Sequence, residues 1–166
     1  MQNKIFGITG GSGTGKSYVA GLFKDMGAYV IDVDKLGHSV LENEAYNDIM
    51  AHFGTTKRSD IGKIVFGDPN MLQILNEIMQ GHITKKVYIQ VADAIAHHEI
   101  IVVDAAILTE LNLHLICDLV ILVTASREQR INRIIKRDGI TKEQAIKRID
   151  SQNIFAPTAA VTIQNG

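Results

Sequence analysis

Among its 166 residues the chain has one cysteine, two prolines and no tryptophan, and aromatic residues make up only 5%. The single Cys117 excludes an intrachain disulfide and argues for nothing secretory. It precedes an apolar run and reads as a small buried hydrophobe. Pro69 and Pro157 stand far apart, so there is no proline-rich linker, and no internal repeat or low-complexity stretch divides the chain. One domain is expected at this length. No apolar run approaches the ~20 residues that span a bilayer. The short apolar stretch near the N-terminus runs directly into a glycine-rich segment and lacks signal-peptide architecture. Charge of one sign is missing too: 17 basic and 18 acidic residues leave a net charge of -1. Such a chain has no global field to draw it to nucleic acid or to a membrane. Hydrophobic content of 46% and charged content of 21% are those of an ordinary soluble globular protein. A reducing cytoplasm is the expected home.

Glycine, by contrast, is concentrated where it has chemical meaning. Residues 10–17 read Gly-Gly-Ser-Gly-Thr-Gly-Lys-Ser, after the apolar, extended run Ile5–Thr9. Gly10-x-x-x-x-Gly15-Lys16-Ser17 is the P-loop pattern, in the strand-before, helix-after context the motif needs. In such a loop successive backbone N–H groups turn toward a phosphate chain and the helix N-terminus adds partial positive charge. The expected nucleotide-binding residues are therefore Gly11, Ser12, Gly13, Thr14, Gly15, Lys16 and Ser17. Lys16 supplies a point charge at the β/γ-phosphates and Ser17 a hydroxyl for Mg²⁺. Glycines 11, 13 and 15 lack the Cβ atoms that would obstruct the phosphates. ATP with Mg²⁺ is the expected cofactor pair.

Five short apolar runs punctuate the chain: Ile5–Thr9, Tyr29–Val33, Ile100–Val103, Leu119–Thr124 and Val161–Ile163. Near-continuous apolar strands suit a parallel sheet covered on both faces. The segments between them carry helical periodicity, including Ser17–Met26 and His82–His98. Ser126-x-x-Gln129 and Thr141-x-x-Gln144 fit capping boxes and place two further helix starts. The expected fold class is α/β, a P-loop NTPase three-layer αβα arrangement with a five-stranded parallel sheet, a helical substrate-binding insertion and a lid. The core would occupy 1–45 and 99–166, the helical substrate subdomain about 46–98, and the lid about 130–145.

Ligands of such sheets bind beyond the carboxyl ends of the strands, so the strand tips carry the candidates. The second strand ends Val30-Ile-Asp-Val-Asp34. A carboxylate at Asp34 can accept a proton from an attacking hydroxyl. It is equally suited to cap a helix starting near Lys35, and Asp32 is a second candidate base. His38 lies one helical turn further on. The third strand ends Ile100-Ile-Val-Val-Asp104, a Walker B pattern that supports Mg²⁺. The loop from Ala105 to Glu110 follows as a segment that could meet the acceptor. After the fourth strand, Arg133 and Arg137 share a helix face that Asp138-Gly139 terminates. They fit a lid that closes over ATP and stabilises transferred charge. They also fit a surface helix whose arginines pair with Asp138 or Glu143.

Taken together, these residues resemble the dephospho-coenzyme A kinase family along essentially the whole chain. The segments that carry the resemblance are Gly7–Ser17, Gly27–Asp34 with Gly37-His38, Ile64–Phe66 with Leu75–Ile78, Asp104–Glu110, Gln129–Asp138 with Arg148 and Gln152, and Gln164–Gly166. The resemblance implies ATP-dependent phosphorylation of the ribose 3′-hydroxyl of dephospho-coenzyme A. It implies Asp34 as general base with Lys16 and Arg137 as catalytic cations, and Arg133 at the nucleotide. It implies Asp34, His38, Leu108 and Glu110 at the acceptor, and Ser17 and Asp104 at the metal. The chain departs from the family's pattern at Gln80-Gly81, where relatives carry His-Pro, and at Ala106 and Thr109, which replace a proline and an aromatic. A small kinase acting on another hydroxyl or nucleotide, and a nucleotide-binding protein without catalysis, remain alternatives on sequence alone.

Overall fold

A computed structural model describes residues 3–152 and 156–166. Its elements, in chain order, are β1 (Lys4–Thr9), α1 (Lys16–Asp25), β2 (Tyr29–Asp32), α2 (Val33–Glu42), α3 (Tyr46–Phe53), α4 (Arg58–Phe66), α5 (Pro69–Ile95), β3 (Ile100–Asp104), β4 (Leu119–Thr124), α6 (Arg127–Asp138), α7 (Lys142–Asp150) and β5 (Val161–Gln164), with a 3₁₀ turn at Leu113–Ile116. The chain divides into two compact units, Met1–Asp32 with Asp93–Gly166, and Val33–Ala92.

The first unit holds a five-stranded sheet in the order β2-β3-β1-β4-β5, with every neighbouring pair parallel. All five apolar runs become strands because parallel strands joined by crossovers are buried on both faces, which favours continuous β-branched sequence. Ile101, Val102 and Val103 of β3 are each fully buried although their side chains alternate between faces. Ile8, Val102, Ile121 and Val123 pack with Val19 and Ala20 of α1 into one core, and the Phe6 and Phe23 rings meet at 5.8 Å against it. Burying each such side chain contributes about 1.5–3 kcal/mol. The packing fixes α1, and with it the loop that enters α1.

A second small core joins α6 and α7 through Ile131, Ile134, Ala145 and Ile149. Both capping boxes form: Ser126 accepts from the Gln129 N–H, Thr141 accepts from the Gln144 N–H, and each glutamine side chain accepts from the N–H of its cap residue. Gly139 ends α6 at φ 64°, the left-handed geometry glycine tolerates.

The second unit is helical. Lys86 of α5 donates to Glu44 at 2.5 Å and to Ser39 of α2 at 3.2 Å, and His82 of α5 meets the Asp48 carboxylate of α3 at 2.7 Å. An apolar cavity of about 260 Å³ is lined by Leu41, Ile61, Val65, Leu75 and Met79, with Arg58 as its charged side chain. Among the described residues no helix is long and apolar enough to cross a membrane.

Two boundaries differ from those the sequence predicts. Helix α2 begins at Val33, so Asp34 is its second residue and not its cap. The helix anticipated at His82–His98 is α5, which starts at Pro69 and ends at Ile95. Its start is set by Asp68, whose carboxylate accepts from the Asn70 and Met71 N–H groups, with proline at the first helical position. Gln80-Gly81 therefore lies inside a continuous helix. Gly81 is exposed, and a Cβ there would meet nothing within 4 Å. Gly81→Ala is expected to raise stability by about 0.4–1 kcal/mol through the unfolded state. Denaturant unfolding of the two proteins side by side measures this, and a loss of stability would contradict the environment described.

Candidate active site

The phosphate loop, residues 10–17, leaves the C-terminal tip of β1 and enters α1 at Lys16. Parallel pairing sets β1 between β3 and β4, so the loop, Asp104 and the chain after Thr124 emerge from the same end of the sheet. Gly13 and Gly15 have φ of 79° and 90°, which L side chains rarely adopt. Lys16 is buried at the start of α1, and its Nζ meets Asp104 Oδ1 at 2.5 Å, with side-chain exposures of 10% and 3%. Burial excludes the water that would screen this pair. The Thr14 hydroxyl donates to the Gly11 carbonyl at 2.9 Å and closes the loop on itself.

The outer side of the loop is covered by protein. Arg130 Nε donates to the Ser12 carbonyl at 2.9 Å. Arg133 donates to the carbonyls of Gly13 at 3.3 Å, Thr14 at 3.2 Å and Asn165 at 3.2 Å. Asn165 Nδ2 donates to the Thr14 carbonyl at 3.0 Å. Gln152 accepts from the Ser12 N–H at 2.8 Å and donates to the Ser12 hydroxyl at 3.0 Å. Burial, and secondarily the charge of Arg127, lowers the pKa of Arg130 from the ordinary guanidinium value, and the Asp150 carboxylate opposes the shift.

This packing revises the reason for the glycines. A Cβ on Gly11 would lie 2.6 Å from the Arg130 guanidinium and 3.2 Å from Gln152 Oε1, and one on Gly13 would lie 2.6 Å from the Arg130 carbonyl oxygen. A Cβ on Gly15 would run into Asn165 Nδ2. At these three positions the obstruction comes from the protein's own backing of the loop.

The first unit thus gathers Gly11, Ser12, Gly13, Thr14, Gly15, Lys16, Ser17, Asp104 and Arg133 around one strand end. Ser17 is exposed on the first turn of α1. Arg137 is turned elsewhere: it donates two hydrogen bonds to Asp138, at 2.7 and 2.9 Å, and Arg148 of α7 also binds Asp138. Of the two readings the sequence left open for this arginine, pairing with Asp138 is the one present. Leu108 is fully buried, with its methyl group over Gly7, so its side chain offers no surface to an acceptor. Glu110 is exposed on the same loop. Asp34 and His38 belong to the second unit, four residues apart and both exposed on α2. Cys117 is half-buried and donates to the Leu113 carbonyl at 3.2 Å, and burial pushes its thiol up to about 12. It is thus less buried than the sequence predicts.

Comparison with known proteins completes this picture. A family model described as dephospho-CoA kinase matches residues 4–162. The chain belongs to the dephospho-CoA kinase family. A family member from Dehalococcoides mccartyi is 33% identical over 179 residues, spanning 98% of this chain and 88% of its own length. One from Oryza sativa subsp. japonica is 32% identical over 160 residues, spanning 90% of this chain and 70% of its own. In three dimensions the chain is similar to the dephospho-CoA kinase from Campylobacter jejuni, with a TM-score of 0.65 and 25% identity over 99% of this chain and 89% of that one. It is also similar to a solved Thermus thermophilus protein, with a TM-score of 0.84 and 25% identity over 100% and 90% of the two chains. An APS kinase from Mycobacterium tuberculosis shares the fold at 18% identity and a TM-score of 0.52, over 98% of this chain and 88% of that one. The chain is a kinase of the P-loop fold.

Sequence reasoning within the family framework missed Arg130 as a loop contact. The signal was present, because the Ser126 capping box fixes the phase of α6 and sets Arg130 and Arg133 three apart on one face. The Asp138 carboxyl gives a separate test. Its hydrogen bonds from Arg137, with the nearby charges of Arg137 and Arg148, hold it down at about 2. A depressed carboxyl stabilises the fold above its unfolded value, near 3.9, and loses that contribution as pH falls toward 2. Stability should therefore drop between about pH 4 and pH 2, with a shallower drop in Asp138→Asn. Identical acid limbs in denaturant unfolding would show that the pair contributes nothing.

Proposed function

We propose that the protein transfers the γ-phosphoryl group of ATP to the ribose 3′-hydroxyl of dephospho-coenzyme A, giving coenzyme A in the last step of its biosynthesis. The observation that carries this reading is the family match over residues 4–162, which includes the backed phosphate loop and the Lys16–Asp104 pair. The loop amides and Lys16 bind the phosphates and draw charge from the transferring group. Asp34 accepts the hydroxyl proton as the oxygen attacks. Arg137 turns from Asp138 to the transferred group, and Arg148 remains on Asp138 when it does, so no carboxylate is stranded. The apolar cavity of the second unit, with Arg58 at its wall, suits the uncharged arm of the acceptor.

Mg²⁺ is commonly held by one or two protein ligands together with substrate phosphates. Ser17 and Asp104 fit that donor set, and no cluster of three His, Cys, Asp or Glu stands among the described residues. The ion, held by these residues, would neutralise part of the nucleotide's phosphate charge.

Purified protein with Mg-ATP and dephospho-coenzyme A should yield coenzyme A. Failure there, with transfer to another hydroxyl in an acceptor panel, would reassign the substrate. Asp34→Asn should lower kcat by about 10²–10⁴-fold while ATP binding survives. If Asp32→Asn does so instead, the base is Asp32. Lys16→Ala should weaken kcat/KM broadly, and unchanged kinetics would remove the phosphate-loop premise.

A further inference from the structure

We infer that Arg130 and Gln152 are positioning residues for the phosphate loop, holding Ser12 from outside so that the amide following it faces the nucleotide. The inference rests on the reading that this loop binds ATP. It adds two side chains that touch neither phosphate nor acceptor.

Ser12 has three hydrogen-bonding groups, and all are engaged from behind. Its N–H donates to Gln152 Oε1, its hydroxyl accepts from Gln152 Nε2, and its carbonyl accepts from Arg130 Nε. In a planar trans peptide the carbonyl of one residue and the N–H of the next point in opposite directions. Pinning the Ser12 carbonyl onto Arg130 therefore turns the Gly13 N–H away from α6. The same geometry applies two residues on, where Arg133 and Asn165 hold the Thr14 carbonyl and so direct the Gly15 N–H. The Ser12 N–H, satisfied by Gln152, is withdrawn from the phosphate side. Ser12 therefore serves as the handle by which the loop is oriented.

The two positioning side chains come from different places. Arg130 lies in the first turn of α6, and Gln152 lies just past the end of α7. The α6–α7 core binds those helices together, so Ser12 is gripped by one rigid hairpin at both its ends. Gly11 completes the fit, because a Cβ there would strike both Arg130 and Gln152.

The test compares Arg130→Ala, Arg130→Lys, Gln152→Ala and Ser12→Ala with the parent, using binding of N-methylanthraniloyl-ATP, ATP and acceptor KM, kcat at saturating ATP, and the melting temperature without nucleotide. Arg130→Ala and Gln152→Ala should each raise the nucleotide Kd and the ATP KM roughly tenfold. Acceptor KM should hold and kcat should stay within about threefold, because the chemistry is untouched once the loop is filled. Arg130→Lys should recover part of the loss through its remaining cation, which a merely structural role would not predict. Ser12→Ala, which removes only the hydroxyl bond, should cost about threefold, and combining it with Gln152→Ala should add less than that. Nucleotide binding within twofold of the parent in Arg130→Ala and Gln152→Ala would overturn the inference. So would a loss that Arg130→Lys does not reduce, or one that tracks melting temperature across the set. Should an alanine variant fail to fold, Ser12→Ala decides alone. Because the nucleotide probe needs no acceptor, a parent that binds it without forming coenzyme A would sink the acceptor assignment and leave this inference standing. A parent that does not bind it would overturn both.

Discussion

A phosphate site made of backbone has to keep several peptide dipoles pointing the same way, an arrangement that is electrostatically unfavourable until something anchors their opposite ends. In this protein the anchors are cationic and amide side chains on the outside of residues 10–17. Arg130, Arg133 and Asn165 take the carbonyls of Ser12, Gly13 and Thr14. The glycines let that backing approach. They are the residues at which a side chain would fill the space occupied by Arg130, Gln152 and Asn165.

The sheet supplies the rest of the geometry. Placing β1 between β3 and β4 in a parallel arrangement gathers the loop, Asp104 and the segment leading to Ser126 at one end. Only two residues separate the end of β4 from the start of α6, and the capping box of α6 fixes which side chains face the loop. The short β5 has a related task. Its pairing with β4 ends at Gln164 opposite Thr124, which delivers Asn165 to the loop. A strand of four residues, mostly exposed, thus has a positional role beyond its small share of the core.

The strands and the two capped helices were legible in the sequence because their signals are local: apolar runs, and a hydroxyl three residues before glutamine. The start of α5 was not, since it is set by the Asn70 and Met71 N–H groups donating to the Asp68 carboxylate ahead of Pro69, without the hydroxyl-to-glutamine spacing that marked the other two helices. In the site, the loop itself was readable from spacing. What lay behind it was not, because Arg130, Gln152 and Asn165 reach the loop across more than a hundred residues of separation. The resemblance marked Gln152 and Asn165 as part of a pattern without saying what they touch. Leu108 shows the converse: a matched motif position whose side chain packs on Gly7 within the core.

Arg133 and Arg137 share a helix face, yet one holds the loop and the other holds Asp138. The difference limits how this region can move. A swing of the whole α6–α7 hairpin would break the bonds of Arg130, Arg133 and Gln152 to the loop, each worth about 0.5–1.5 kcal/mol, and would strip the loop of its backing just as phosphates arrive. Movement of the far end alone breaks none of these. That end contains Arg137 and Asp138, is exposed to solvent, and stops at Gly139 in the left-handed conformation. Arg137 and Arg148 both bind Asp138 there, so this carboxylate has two cationic partners. The hairpin therefore divides along one helix: Arg130 and Arg133 in its first turns bind the loop carbonyls, and Arg137 in its last turn binds Asp138.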